Sequence, residues 1–166
     1  AATIGWQHNC YDGYLHVKPV VFWQQENLLQ QYLPNLDRYI VLSDYDKRDY
    51  MEKLGIDCEV KINPRSFVSE KKCDVKSKRF LMATRFVYAK GLDLMMESFE
   101  EFCKEDSEWE LDIIGDGDLF DQIRADAKKR HLEKRVHFVG YTNEPEKYYL
   151  NSSVFLLPSR WEGWPM

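Results

Sequence analysis

At 166 residues, 44% hydrophobic and 14% aromatic, the chain can bury a core and fits one domain, or one domain plus part of a second; it is not a disordered tail. A net charge of -5 and the lack of any long Lys/Arg cluster exclude a nucleic-acid surface, though not a discrete anion site. No run approaches the roughly 20 apolar residues that span a bilayer, and Cys10, Cys58, Cys73 and Cys103 show no C-x-x-C pairing, so reduced thiols in a cytoplasmic protein are expected rather than structural zinc.

In chain order, ATIGWQHN (2–9) reads as a strand ending at a polar loop, and VVFWQQENLLQQYL (20–33) as a helix. LDRYIVLS (36–43) is a predicted strand, Ser43 a predicted N-cap for the helix 44–55, Gly55 its stop, and DCEVKI (57–62) the next strand. These pieces are too few for a closed half-sheet. The polar stretch 63–78, opened by Asn63-Pro64, reads as a linker. Residues 1–62 are therefore expected to be the last part of one α/β domain, and 79–166 most of a second.

Beyond the linker the rhythm is clear. RFLMAT (79–84) predicts a buried strand, 91–105 an amphipathic helix with Leu92, Met95, Phe99 and Phe102 on one side, and WELDIIG (109–115) a second strand. A helix over 118–132 with Leu119, Ile123 and Ala127 inward, a strand over 135–140, a short helix over 144–152 and a strand over 153–159 follow. Strands and helices alternating at this length imply right-handed βαβ crossovers, hence an α/β, Rossmann-like parallel sheet with helices on both faces.

Open parallel sheets bind ligands at the carboxyl ends of their strands, so the loops there are expected to hold the chemistry. In TRFVYAKGLD, Arg85 and Lys90 bound a turn and Gly91 opens the helix; two cations beside N–H groups at a helix N-terminus suit a phosphate or diphosphate. The alternative is two solvated cations on a loop. In IIGDGDLF, Gly115 and Gly117 permit a tight turn, but the third glycine of a dinucleotide fingerprint is missing. Asp116 and Asp118 imitate an acidic metal motif, and N-capping by Asp118 is the favoured reading. In PSRWEGWPM, Glu162 is a carboxylate able to accept sugar hydroxyls, Gly163 allows close backbone approach, and Trp161 and Trp164 offer flat apolar faces that elsewhere more often belong to a core.

Taken together, Arg85 with Lys90-Gly91, LDIIGDG (111–117), VHFVG (136–140) and PSRWEGWP (158–165) resemble the donor-binding domain of glycosyltransferase family 4, the retaining GT-B enzymes. The stretch before the linker resembles the end of that family's N-terminal domain, with WQHN at a strand end and KINP leading into the donor domain. The resemblance implies that Arg85 and Lys90 grip the donor's diphosphate and that Glu162 is the first carboxylate of an E-x7-E motif beside the donor sugar. It also implies that Gly115, Asp116 and Gly117 border the nucleotide cleft, that Tyr141 lines the base, and that His8 lies near the transferred sugar. Gly91 and Gly163 join the donor-binding set.

The second Glu of that motif would fall eight residues after Glu162, beyond Met166, and the family's N-terminal glycine-rich loop would lie upstream of Ala1. The resemblance thus implies a truncated GT-B piece of a protein on the order of 350–400 residues, inactive by itself. It implies transfer from a nucleotide-diphosphate sugar to a sugar or lipid-linked acceptor, with retention and without metal or other cofactor, in cell-surface polysaccharide or glycoconjugate synthesis. The setting implied is cytoplasmic, with the inner membrane face open as a partner surface of the whole protein, and the piece itself is expected to self-associate through exposed apolar faces. Two rivals stand beside it. A non-catalytic nucleotide- or anion-binding module of receiver type would need clustered acids after its first strand, where LMATRF has none. A nicotinamide-dependent oxidoreductase would need G-x-G-x-x-G there, where the chain has TRFVYAKG.

Overall fold

The computed structural model describes residues 1–16, 24–64 and 68–164. It divides into two compact units, Ala1–Phe67 with Trp161–Met166, and Val68–Arg160. The last residues of the chain thus group with the first unit, not with the strands that immediately precede them.

In the first unit, β1 (Ile4–Trp6), β2 (Arg38–Val41) and β3 (Glu59–Val60) form a parallel sheet in the order β1-β2-β3, with Gly5 opposite Tyr39 and Ile40 opposite Glu59. Among the described residues, α1 (Tyr11–Leu15), α2 (Glu26–Tyr32) and α3 (Asp44–Leu54) accompany it. The Ser43 hydroxyl accepts from the Asp46 N–H at 3.1 Å and donates to the Asp46 carboxylate at 2.6 Å, a reciprocal cap that starts α3 where the sequence predicts. Gly55, at φ 70°, ends it, its N–H donating to the Met51 carbonyl at 3.0 Å. Of the predicted helix 20–33, residues 20–23 lie outside the described residues; α2 covers only Glu26–Tyr32, because Gln24 stands at φ 55° outside the helix and Leu33 passes into a 3-10 turn. Helix α1 was not expected. Five residues containing Asp12 and Gly13 have little intrinsic helicity, and tertiary contacts hold them instead: the Tyr11 N–H donates to Asp46 at 3.0 Å, and Tyr11, Gly13 and Leu15 are buried. Tyr11, Leu15, Val41 and Tyr50 centre the core, and burial there pushes the Cys58 thiol up to about 11, which removes it as a nucleophile near neutral pH.

In the second unit, β4 (Arg79–Ala83), β5 (Glu110–Ile114), β6 (Val136–Gly140) and β7 (Val154–Phe155) are all parallel, in the order β6-β5-β4-β7. They alternate with α4 (Leu92–Glu105), α5 (Phe120–Lys129) and α6 (Pro145–Leu150), which makes the unit a Rossmann-like α/β fold. The apolar stripe of α4 buries Leu92, Met95, Met96 and Phe99, with Phe102 half-buried; these meet Met82, Leu111 and Ile113 of the sheet and Ile123 and Ala127 of α5 in one core. Each such side chain removed from water contributes about 1.5–3 kcal/mol before ordering costs. Inside β5, the buried Asp112 carboxylate accepts two hydrogen bonds from Arg79 of β4, both at 2.9 Å, so the buried charge in this strand is paired.

Two boundaries differ from the expected ones. Helix α5 begins at Phe120, and its N-cap residue is Leu119, without a side-chain cap, so Asp118 does not cap it. Backbone bonds tie 116–119 to the loop after β4 (Phe86 N–H to Asp116 O, 2.9 Å; Leu119 N–H to Phe86 O, 3.0 Å), and the helix starts only once that tether ends. Strand β7 is two residues long instead of seven, because after the Leu156 N–H donates to Leu81 the chain reaches Pro158, which has no N–H to offer a ladder.

Candidate donor-binding site

Strands β4, β5 and β6 run outward in one direction, whereas β7 lies on the other side of β4. The loops after β4 and β7 therefore part at a topological switch point, the usual ligand position in an open parallel sheet. After β4 comes Arg85, exposed, then a turn of 3-10 helix at Tyr88–Lys90, with the Lys90 N–H donating to the Val87 carbonyl at 3.0 Å. Lys90 is half-buried, and Gly91 follows in the left-handed region at φ 63° as the N-cap of α4. The first-turn N–H groups of α4 have no backbone acceptors within the helix, and the Asp93 carboxylate accepts from those of Asp93 and Leu94; Arg85, Lys90 and this helix end stand in one loop with the composition of an anion cradle.

The glycines have a second reason to be glycine. A Cβ on Gly91 would stand 2.1 Å from the Pro158 carbonyl oxygen, one on Gly115 (φ 125°) 1.8 Å from that of Thr84, and one on Gly117 2.8 Å from that of Phe86. The three loops are thus packed backbone to backbone, and the close approach expected for a ligand at these positions is taken up by neighbouring chain. Asp116 accepts from the Gly117 N–H at 2.8 Å, which shapes the turn. A bulge between Ile113 and Ile114 skips Val139, pairing Ile114 with Gly140, whose carbonyl accepts from the Gly115 N–H at 2.8 Å; Tyr141 leaves this point 79% exposed.

Sequence reasoning missed Arg160. Its guanidinium donates to both carboxylate oxygens of Asp93 at 2.8 and 2.6 Å and to the Tyr88 carbonyl at 3.0 Å, and it stacks 4.0 Å from the Tyr88 ring centroid. Its own N–H donates to the Ala89 carbonyl at 2.8 Å. The available signal was an acid in the first turn of the helix after Lys90-Gly91 and an arginine in the loop after β7.

In the first unit, His8 and Gly163 meet. A Cβ on Gly163 would fall 2.2 Å from the His8 carbonyl oxygen, so the half-buried Glu162 is held next to the His8 backbone by a contact only glycine permits. Trp161 packs on Gly13 of α1, where a Cβ would fall 2.5 Å from the indole; this Trp is packed against chain, not presented as a free platform.

Comparison with known proteins agrees with this architecture. The family described as Glycosyl transferases group 1 matches residues 66–166. An uncharacterized glycosyltransferase of Haemophilus influenzae is 28% identical over 132 residues, 78% of this chain and 37% of that protein. The amylovoran biosynthesis glycosyltransferase AmsD of Erwinia amylovora is 32% identical over 91 residues, 55% of this chain and 25% of that protein. The chain therefore spans well under half the length of these relatives. Among solved structures, a TarM mutant of S. aureus in complex with Fondaparinux, alpha-GlcNAc-glycerol and UDP aligns with a TM-score of 0.85 at 22% identity, covering 98% of this chain and 33% of that one. The pneumococcal O-GlcNAc transferase GtfA in complex with UDP and GlcNAc aligns with a TM-score of 0.73 at 19% identity, over 99% and 34%. At these identities the structures bear on the fold, which is that of GT-B glycosyltransferases, and the family match bears on descent: this chain belongs to the group 1 glycosyl transferases.

Proposed function

We propose that the protein to which this chain belongs transfers a sugar from a nucleotide-diphosphate donor to a sugar or lipid-linked acceptor, with retention, in the manner of family 4, for cell-surface polysaccharide or glycoconjugate synthesis. The observation that carries this reading is the loop after β4, where Arg85, Lys90 and the N-terminus of α4 open at Gly91 beside the switch point between β4 and β7. Two cations and a helix dipole stabilise the negative charge that grows on the departing diphosphate as the glycosidic bond breaks, and they do so without a metal. That leaving phosphate then helps deprotonate an acceptor attacking from the same face. In this scheme Gly115, Asp116 and Gly117 border the nucleotide, Tyr141 meets the base, Glu162 and Gly163 serve the donor sugar, and His8 lies near the sugar in transfer. Residues 79–166 are the donor side, 1–62 belong to the acceptor side, and 63–78 link them. Similarity to an amylovoran biosynthesis glycosyltransferase and to a poly(ribitol-phosphate) alpha-N-acetylglucosaminyltransferase supports the substrate class. Four unpaired thiols suit the reducing cytoplasmic side.

In the whole protein, Lys90→Ala lowers turnover by roughly 10²–10³-fold, the scale of losing one preorganised electrostatic contact, and EDTA leaves the rate nearly unchanged. Proton NMR of the product reads the retained anomeric configuration. Full activity in the Lys90→Ala variant, an inverted product, or a strong requirement for added magnesium contradicts the scheme.

A further inference from the structure

The pair Arg160–Asp93 joins the loop after β7 to the first turn of α4 across 67 residues of sequence. The Arg160 side chain is 19% exposed, and among the described residues of this unit its polar contacts fall within Tyr88–Asp93: the Tyr88 carbonyl and ring, and the Asp93 carboxylate, with its N–H on the Ala89 carbonyl. Lys90 and Gly91 lie between those points. On the same side, Gly91 sits so close to the Pro158 carbonyl that the two loops interlock. An exposed surface salt bridge contributes little, but a bidentate guanidinium–carboxylate pair with two further backbone contacts fixes orientation as well as charge.

Asp93 has the wrong sign for its neighbourhood. A carboxylate in the first turn of a helix suits the dipole, but it also repels any anion brought to the same N–H groups. The hydrogen bonds from Arg160 hold its carboxyl below the ordinary carboxylate range, so near neutral pH the negative charge is present and needs its counter-charge.

We propose that Arg160 is a positioning residue of the donor site: it holds the segment carrying Lys90 and Gly91 against the loop after β7 and cancels the Asp93 charge where a diphosphate arrives. The inference rests on the reading of Lys90 as a diphosphate ligand, and a cycle of variants separates the two. With UDP as the probe and the 166-residue chain in NMR titration, Arg160→Ala weakens binding about tenfold, the size of one unscreened charge a few ångströms from the anion. Adding Asp93→Asn to Arg160→Ala restores most of that loss, and Arg160→Lys, which keeps the charge but not the fork, restores only part. Hydrogen exchange at the Lys90 and Gly91 amides quickens in Arg160→Ala while the β5 amides stay protected, which reports a local release rather than unfolding. If Lys90→Ala weakens UDP and Arg160→Ala does not, or if Asp93→Asn gives no rescue, the positioning role is overturned and the cradle stands. If neither variant changes UDP binding, the cradle reading falls and the role of Arg160 falls with it.

Discussion

At the scale of single residues, two charge pairings set a pH dependence. His16, just after α1, has one ring nitrogen 2.9 Å from Asp12 and the other 2.8 Å from Glu26. The hydrogen bond to Asp12, and then that to Glu26, raise its pKa above the ordinary 6.5. A raised histidine stabilises the fold fully below its unfolded pKa, and the contribution fades as pH rises through the folded pKa. The stability gap between wild type and His16→Gln is therefore expected to be widest at about pH 5.5 and to shrink by about pH 8.5, as read by calorimetric melting across that range. A gap that is constant, or that widens with pH, contradicts the pairing. Asp93 has the opposite sign: its depressed carboxyl stabilises above the ordinary carboxylate range and loses that contribution only as pH falls through its folded value. Pairings of this kind are where sequence reading was blind. Lys90-Gly91 is visible as a motif because its residues are adjacent, whereas Arg160 with Asp93, and Gly163 with the His8 carbonyl, are contacts between distant segments that no local pattern announces.

At the scale of elements, the strand and helix alternation beyond the linker was legible because parallel strands buried on both faces are short apolar runs, and because α4 and α5 carry clean apolar stripes. Elements held by tertiary contacts were not legible: α1 depends on Asp46 and on burial of Tyr11, and the start of α5 depends on the tether to Phe86. The edge strand β7 carries a consequence for solution behaviour. Among the described residues it pairs only with β4, and Val154, Phe155 and Leu157 are 40%, 42% and 42% exposed. Beside it Phe80, Met95, Phe99, Phe102 and Leu156 line an apolar groove. An uncharged edge next to an apolar groove invites pairing with a second copy. Sedimentation velocity of the 166-residue chain is expected to show mass rising with concentration, and Phe155→Lys to suppress it. A wild-type chain that stays monomeric over the whole range contradicts this.

At the scale of the whole molecule, the chain holds two α/β units, and the second one brings the loops after β4, β5 and β6 to one end of a parallel sheet. Membership of the group 1 glycosyl transferases rests on residues 66–166, which include every loop assigned to the donor. The relatives named above are about twice as long as this chain, and in the proposed scheme catalysis belongs to the whole protein and donor recognition to this part of it. In the proposed scheme the loop from Arg85 to Gly91 holds the diphosphate and the turn 115–117 borders the nucleotide. Titration of the isotopically labelled chain with UDP tests it most directly. Binding is expected to be weak, with Kd roughly millimolar, and amide shifts to concentrate at Arg85, Lys90, Gly91, Gly115 and Gly117. Shifts that cluster elsewhere in the sheet, or that persist unchanged in Lys90→Ala, would contradict it.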